Sequence, residues 1–227
     1  MISGAGRGLG LALAQRLLAE GWNASVGVRR VDAAESALAE SGDSLMVHHY
    51  DALDAASNYA WLAATVERFG GVDALINNAG IVDPSPLDDL SEDALDELWK
   101  VNVMGPFRLI KSALPHLRQS GEGRVVNVSS LSGLRVKGTF APGYAMSKFA
   151  VTALTEAVKN AGWDDGVRVT SLHPGFINTD MTADFDFPDD QMIQPDDLAE
   201  LVATVLRLPN TAQVARLTVA CEPEPGL

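Results

Sequence analysis

Ser3-Gly4-Ala5-Gly6-Arg7-Gly8-Leu9-Gly10 runs without a break into Leu11-Ala12-Leu13-Ala14-Gln15-Arg16-Leu17-Leu18, a strong helix former. Glycines at a strand-to-helix turn let the backbone come close to a pyrophosphate, whose charge then meets the free N–H groups and positive end of the helix. The spacing is G-x-x-x-G-x-G, carried by Gly4, Gly8 and Gly10; the pattern G-x-G-x-x-G does not fit, because Leu9 and Leu11 interrupt it. Taken alone, the loop is also compatible with a plain structural turn. Only Met1-Ile2 precede it, so either the first strand is very short or the natural chain begins upstream.

Downstream of the loop, short β-branched runs alternate with helical stretches: Ala24–Val28, Leu45–His49, Ala74–Asn77, Arg124–Ser129, Val167–His173 and Ala215–Ala220. This alternation predicts an α/β fold, a doubly wound parallel sheet with helices on both faces, Rossmann-like in its plan. With 227 residues, 47% of them hydrophobic, the chain suits one well-buried domain spanning 1–227 and is short for two. Helix starts are expected at Asp32, followed by Glu35, and at Ser91, after which Leu95, Leu98 and Trp99 share an apolar face.

Seventeen Lys+Arg against 30 Asp+Glu give a formal charge of -13, which repels phosphate backbones and anionic lipid. Neither nucleic acid nor membrane is an expected partner. The single cysteine, Cys221, excludes an internal disulfide, and with no apolar run approaching a span or a signal sequence, a cytoplasmic setting is expected. His48, His49, His116 and His173 lack metal-site spacing, so no metal is expected. Trp22, Trp61 and Trp99 read as packing residues, and the tail from Glu222 as a frayed or docked end.

Adenosine-ribose preference is read about 20 residues after such a loop, where NAD sites place a carboxylate. Here the second strand ends in Val28-Arg29-Arg30, and Arg7 lies in the loop itself. Guanidinium groups suit a 2′-phosphate, so NADP(H) is expected over NAD(H), unless these arginines are only a solvated edge. Asp32 comes too late to replace the missing carboxylate.

Tyr144-Ala145-Met146-Ser147-Lys148 places a phenol and an ammonium on one helix face. An adjacent cation is expected to lower the phenol's pKa and make Tyr144 a general acid or base. Ser130 closes the run Arg124–Ser129, at the strand end where such folds bind ligands, and is expected to hold a substrate oxygen.

The glycine loop, Asn77-Asn78-Ala79-Gly80, Asn102, Val126-Asn127-Val128-Ser129-Ser130, the Tyr144/Lys148 pair and Pro174-Gly175 together resemble the short-chain dehydrogenase/reductase family, over essentially the whole chain. The resemblance implies a nicotinamide-dependent oxidoreductase with Asn102, Ser130, Tyr144 and Lys148 as its catalytic four. In it Asn102 would help hold a water linking Lys148 to solvent, and Lys148 would also bind the nicotinamide ribose. It further implies cofactor contacts at Ser3, Gly4, Gly8, Leu9 and Gly10, at Asp51 and Ala52 beside the adenine, and at Asn78, Ala79 and Gly80. Pro174, Gly175, Ile177 and Thr179 would wrap the nicotinamide.

Ser3 stands where the family usually has Thr, and Cys221-Glu222-Pro223 follows the last strand in place of a Gly-Gly turn. A homodimer through helices around 95–118 and 144–161 is expected, with a homotetramer through the last strand as the alternative. Residues 180–194 are the expected substrate lid, short and acidic with two Phe and two Met, suiting small uncharged or weakly polar carbonyls and their alcohols. Arg135 and Lys137 follow Ser130 and would instead attract an anion. The rival readings are a non-catalytic NADP(H)-binding regulator, an NAD-linked alcohol dehydrogenase, and a nucleotide-sugar epimerase or dehydratase. The last usually carries a substrate domain, for which fewer than fifty residues after Thr179 leave no room.

Overall fold

A computed structural model describes residues 1–224 and shows one seven-stranded sheet, parallel throughout, in the order β3-β2-β1-β4-β5-β6-β7. The strands are β1 (Ile2–Ser3), β2 (Ala24–Val28), β3 (Leu45–His49), β4 (Ala74–Asn77), β5 (Arg124–Val128), β6 (Arg168–Pro174) and β7 (Arg216–Val219). Strand order reverses between β1 and β4, which opens a crevice at the carboxyl edge of the sheet. The first strand is short, two residues pairing Ile2 with Val26 and Ile76. The expected Pro-Gly end at 225–227 lies outside the described residues.

Side-chain alternation divides the core in two. On one face Val26, Ile76, Val126 and Leu172 meet Leu9, Leu13 and Leu17 of α1 (Gly8–Ala19) and Leu198, Val202 and Leu206 of α7 (Pro195–Leu206). On the other, Leu75, Val125 and Val169 meet Trp61 of α3 (Ala55–Phe69), Leu109 and Leu117 of α5 (Gly105–Gln119) and Val158 of α6 (Pro142–Gly162). Trp61 is fully buried and its indole N–H donates to Ser25 Oγ at 2.8 Å, so the packing role expected of it is met. Trp99 departs from its expected place: Leu98 takes the core and Trp99 remains exposed.

Helix starts follow the sequence in one case and not in another. Ser91 caps α4 (Glu92–Trp99), its hydroxyl accepting from Ala94 N at 3.1 Å. Asp32 does not cap α2 (Val31–Ala37): the helix begins two residues earlier than such a cap would set it, Arg30 holds the cap position without a side-chain bond, and Asp32 lies in the first turn, where its charge complements the helix dipole. Among the described residues no helix is long and apolar enough to cross a membrane, and no group of three or more His, Cys, Asp or Glu is placed to hold a metal ion.

Candidate active site

One cleft of about 890 Å³ runs along the carboxyl edge of the sheet, from the glycine loop to the loop after β5. Its cofactor end is built by close backbone approach. Gly4 adopts φ +73°, and a Cβ there would stand 2.9 Å from Ala79 Cα. A Cβ on Gly10 would stand 2.4 Å from Gly4 O and 2.5 Å from Asn78 Nδ2, so only glycine lets α1 start against the loop. Arg7 occupies the cap position of α1 without a side-chain bond to the helix N–H groups, and these first-turn groups are left for an anion. This cradle fits the pyrophosphate of a nicotinamide dinucleotide, and exposed Arg29 and Arg30 lie on the same cleft. Gly10→Ala is expected to destabilise the fold by about 1–3 kcal/mol in urea unfolding and to remove NADPH binding in a fluorescence titration. Wild-type binding by that variant would contradict the cradle.

Gly4, Arg7, Gly8, Leu9, Gly10, Arg29, Arg30, Asp51, Ala52, Asn78, Ala79, Gly80, Pro174, Gly175, Ile177 and Thr179 all line the cleft, as do Ser130, Tyr144 and Lys148. Two expected site residues stand behind the wall. The Ser3 hydroxyl is buried and accepts from Asn78 N at 3.0 Å and Ala79 N at 3.1 Å, so it shapes the wall without reaching into it. Asn102, also buried, lies in a π-helical turn, Lys100–Met104, inserted between α4 and α5. Its amide takes Ile81 N and gives to Ile81 O, both at 2.9 Å, and donates to Ser147 Oγ at 3.0 Å, which ties the strand-β4 loop to α6. Asn77, just before the Asn78–Gly80 segment, likewise points inward, donating to Asn127 Oδ1 at 2.7 Å.

At the chemical end, α6 is launched by Ala141 in the left-handed region, φ +50°, with Pro142 in its first turn. That strained turn sets the start of the helix that carries Tyr144 and Lys148. Ser129 Oγ donates to Lys148 O at 3.0 Å and fixes the helix to the end of β5. Lys148 Nζ donates to Val128 O at 2.8 Å and lies 5.4 Å from the centre of the Tyr144 ring. Lys148 Nζ and Asn102 Oδ1 both lie near Gly80, where a Cβ would stand 3.6 Å from the first and 3.2 Å from the second.

The electrostatics reverse one expectation. Burial pushes the Tyr144 phenol up to about 12, a hydrogen bond with Ser130 opposing it, and burial lowers Lys148 to about 8. The lysine does not acidify the phenol here, because desolvation weakens both charged forms before they can help each other. Tyr144 is therefore a phenol, protonated at neutral pH.

His173, set aside in the sequence reading, is fully buried at the end of β6, with Nδ1 2.9 Å from Ser130 O. Only a motif reading that asked what faces Ser130 across the sheet would have found it. The expected basic attractors are also changed: Arg135 is paired with Glu224 and Lys137 with Glu222. Within residues 180–194, Asp180 pairs with Arg7 at 2.9 Å, both exposed, and Met192 is buried in the core while Met181 is exposed. Phe185 lines the cleft, and Phe187 packs on Phe176 beside it.

The model of the short chain dehydrogenase family matches residues 1–188. An agropine synthesis reductase of Rhizobium rhizogenes is 42% identical over 226 residues, 99% of this chain but 52% of the relative, so the chain spans about half the length of the first curated relatives it matches. Among solved structures, a 3-ketoacyl-(acyl-carrier-protein) reductase from Brucella melitensis complexed with NADH superposes with a TM-score of 0.90 at 28% identity, covering 97% of this chain and 95% of that one. An alcohol dehydrogenase of the archaeon Thermococcus sibiricus complexed with 5-hydroxy-NADP gives 0.89 at 31%, covering 98% and 97%. By sequence, sheet order and the placement of Ser130, Tyr144 and Lys148 on one cleft, the chain belongs to the short-chain dehydrogenase family.

Proposed function

We propose that the chain is an NADPH-dependent reductase of small aldehydes or ketones, with Tyr144 as the proton donor. The observation that carries this reading is that Ser130, Tyr144 and Lys148 share one cleft with the glycine loop and with Arg29 and Arg30. When bound, NADPH supplies the hydride to the carbonyl carbon. Tyr144 gives its proton to the carbonyl oxygen, and a phenol held protonated by burial suits that direction. Ser130 donates to the same oxygen and steadies the charge that develops there. Lys148, lowered to about 8, gains and loses a proton readily and suits the return of one to Tyr144. Asn102 donates to Ser147 Oγ, the neighbour of Lys148 in α6, and so helps fix the turn that carries this lysine. Residues 180–194 act as the lid, with Phe185 toward the substrate and the exposed Arg7–Asp180 pair as a weak latch.

The test is NADPH oxidation over a panel of aldehydes and ketones, carried out in parallel with NADH. A clear preference for NADH overturns the coenzyme assignment. Tight NADPH binding with no oxidation over the panel overturns the enzymatic one. Arg29→Ala/Arg30→Ala is expected to raise the KM for NADPH about 10- to 100-fold, the loss of charge-assisted bonds to the 2′-phosphate, and to leave that for NADH within a few-fold. Self-association is part of the reading, supported by exposed Trp99 and Phe107 on α4 and α5 and exposed Met146 and Phe149 on α6.

A further inference from the structure

Arg135 and Lys137 lie in the loop after Ser130, and both line the cleft with Ser130 and Tyr144. Each holds a carboxylate of its own chain. Arg135 grips Glu224 as a fork, Nε to one oxygen at 2.9 Å and Nη2 to the other at 2.5 Å. Lys137 Nζ donates to Glu222 at 2.5 Å. The Glu224 side chain is only 7% exposed and the Arg135 side chain 26%, so this carboxylate is bound within a wall and not lying on the surface. A paired, sheltered guanidinium beside a lysine is the donor set that carboxylates select.

Glu222 and Glu224 follow β7, and among the described residues their side chains bond only to these two cations. A segment held in this way competes with a soluble carboxylate through its effective concentration alone, on the order of millimolar for a short tether. Beside the cations the cleft is apolar: Phe140 stands edge-on to Phe185 with ring centres 5.3 Å apart, and Phe185 to Phe176 at 5.7 Å. All three line the cleft.

We propose that Arg135 and Lys137 form a carboxylate subsite of the substrate cleft, filled by the chain's own Glu222 and Glu224 until substrate arrives, and that the preferred substrates are carbonyl compounds with an apolar body and a carboxylate. This rests on the reductase reading and names its substrate class. Glu222 and Glu224 then act as an internal competitor that keeps the two cations paired in the absence of the right ligand.

The test compares levulinate with methyl levulinate, which differ by one charge, on the full chain with NADPH. Glu222→Gln/Glu224→Gln keeps the shape of the segment and removes its charge. The KM ratio of levulinate to ester is expected to fall about tenfold in that variant, as a competent state populated about one part in ten becomes dominant. Arg135→Met is expected to raise the same ratio about tenfold or more. If both KM values move together in both variants, or the ratio does not move, the subsite is overturned and the ion pairs only clamp the wall. Should neither compound be turned over, calorimetric titration of levulinate decides: binding about tenfold tighter in the double variant upholds the subsite, and unchanged or weaker binding overturns it. Failure of the reductase reading shows separately, as no NADPH oxidation with any carbonyl of the panel.

Discussion

Tyr144→Phe is expected to bind NADPH as the wild type does and to lose turnover by roughly 10²- to 10⁴-fold, the range a positioned proton donor contributes. The substitution keeps the ring against Lys148 Nζ, 5.4 Å from its centre, and removes only the hydroxyl. Because burial holds that hydroxyl's pKa at about 12, it stays protonated at neutral pH and can give its proton to a developing alkoxide. The checks are kcat for carbonyl reduction and a fluorescence titration with NADPH. Near-normal turnover removes the assignment of Tyr144, and loss of NADPH binding makes its role structural.

Lys148→Met is expected to abolish turnover and at the same time to stabilise the fold. The ammonium is buried, its described partner is the Val128 carbonyl at 2.8 Å, and no carboxylate among the described residues pairs with it. Its pKa falls from 10.5 unfolded to about 8 folded. Below about pH 8 the lysine is charged in both states and the native state carries the full desolvation cost. Between about 8 and 10.5 the unfolded chain binds more protons, so stability rises with pH and the cost disappears. At pH 7 the variant is therefore expected to gain about 1–3 kcal/mol in urea unfolding, with the gain shrinking as pH is raised toward 10. A variant less stable than wild type at neutral pH would show that Lys148 holds the fold together, contrary to the electrostatics described above. Activity and stability pulling in opposite directions at one residue is the mark of a group retained for chemistry.

Much of the architecture is legible in the residues because it rests on local rules. Ala24–Val28, Leu45–His49 and Ala74–Asn77 are short strand-forming runs, and the strands occupy those spans. Gly4, Gly8 and Gly10 announce a tight strand-to-helix turn by their spacing, and Tyr144 and Lys148 share a helix face by theirs. What the sequence does not carry are effects set by distant neighbours. Burial of Tyr144 decides the sign of its pKa shift, and no spacing encodes that. The partners of Arg135 and Lys137 lie 89 and 85 residues away, joined to them only when β7 docks on β6. The π-turn at Asn102 is equally silent, since Lys100–Met104 reads as ordinary helix until Ile81 and Ser147 are placed against it. Asp32 misleads for a local reason: Arg30 takes the cap position without a side-chain bond, and an acidic residue in a first turn resembles a cap in sequence.

The most direct measurement is isotope transfer. The chain is incubated with a carbonyl it reduces and with NADPH deuterated at the transferable position of the nicotinamide, and the alcohol is examined by mass spectrometry and NMR. The account expects one deuterium at the carbinol carbon in the wild type and none formed at a comparable rate by Tyr144→Phe. Alcohol formed without the label, or label transferred as fast without the hydroxyl of residue 144, contradicts it.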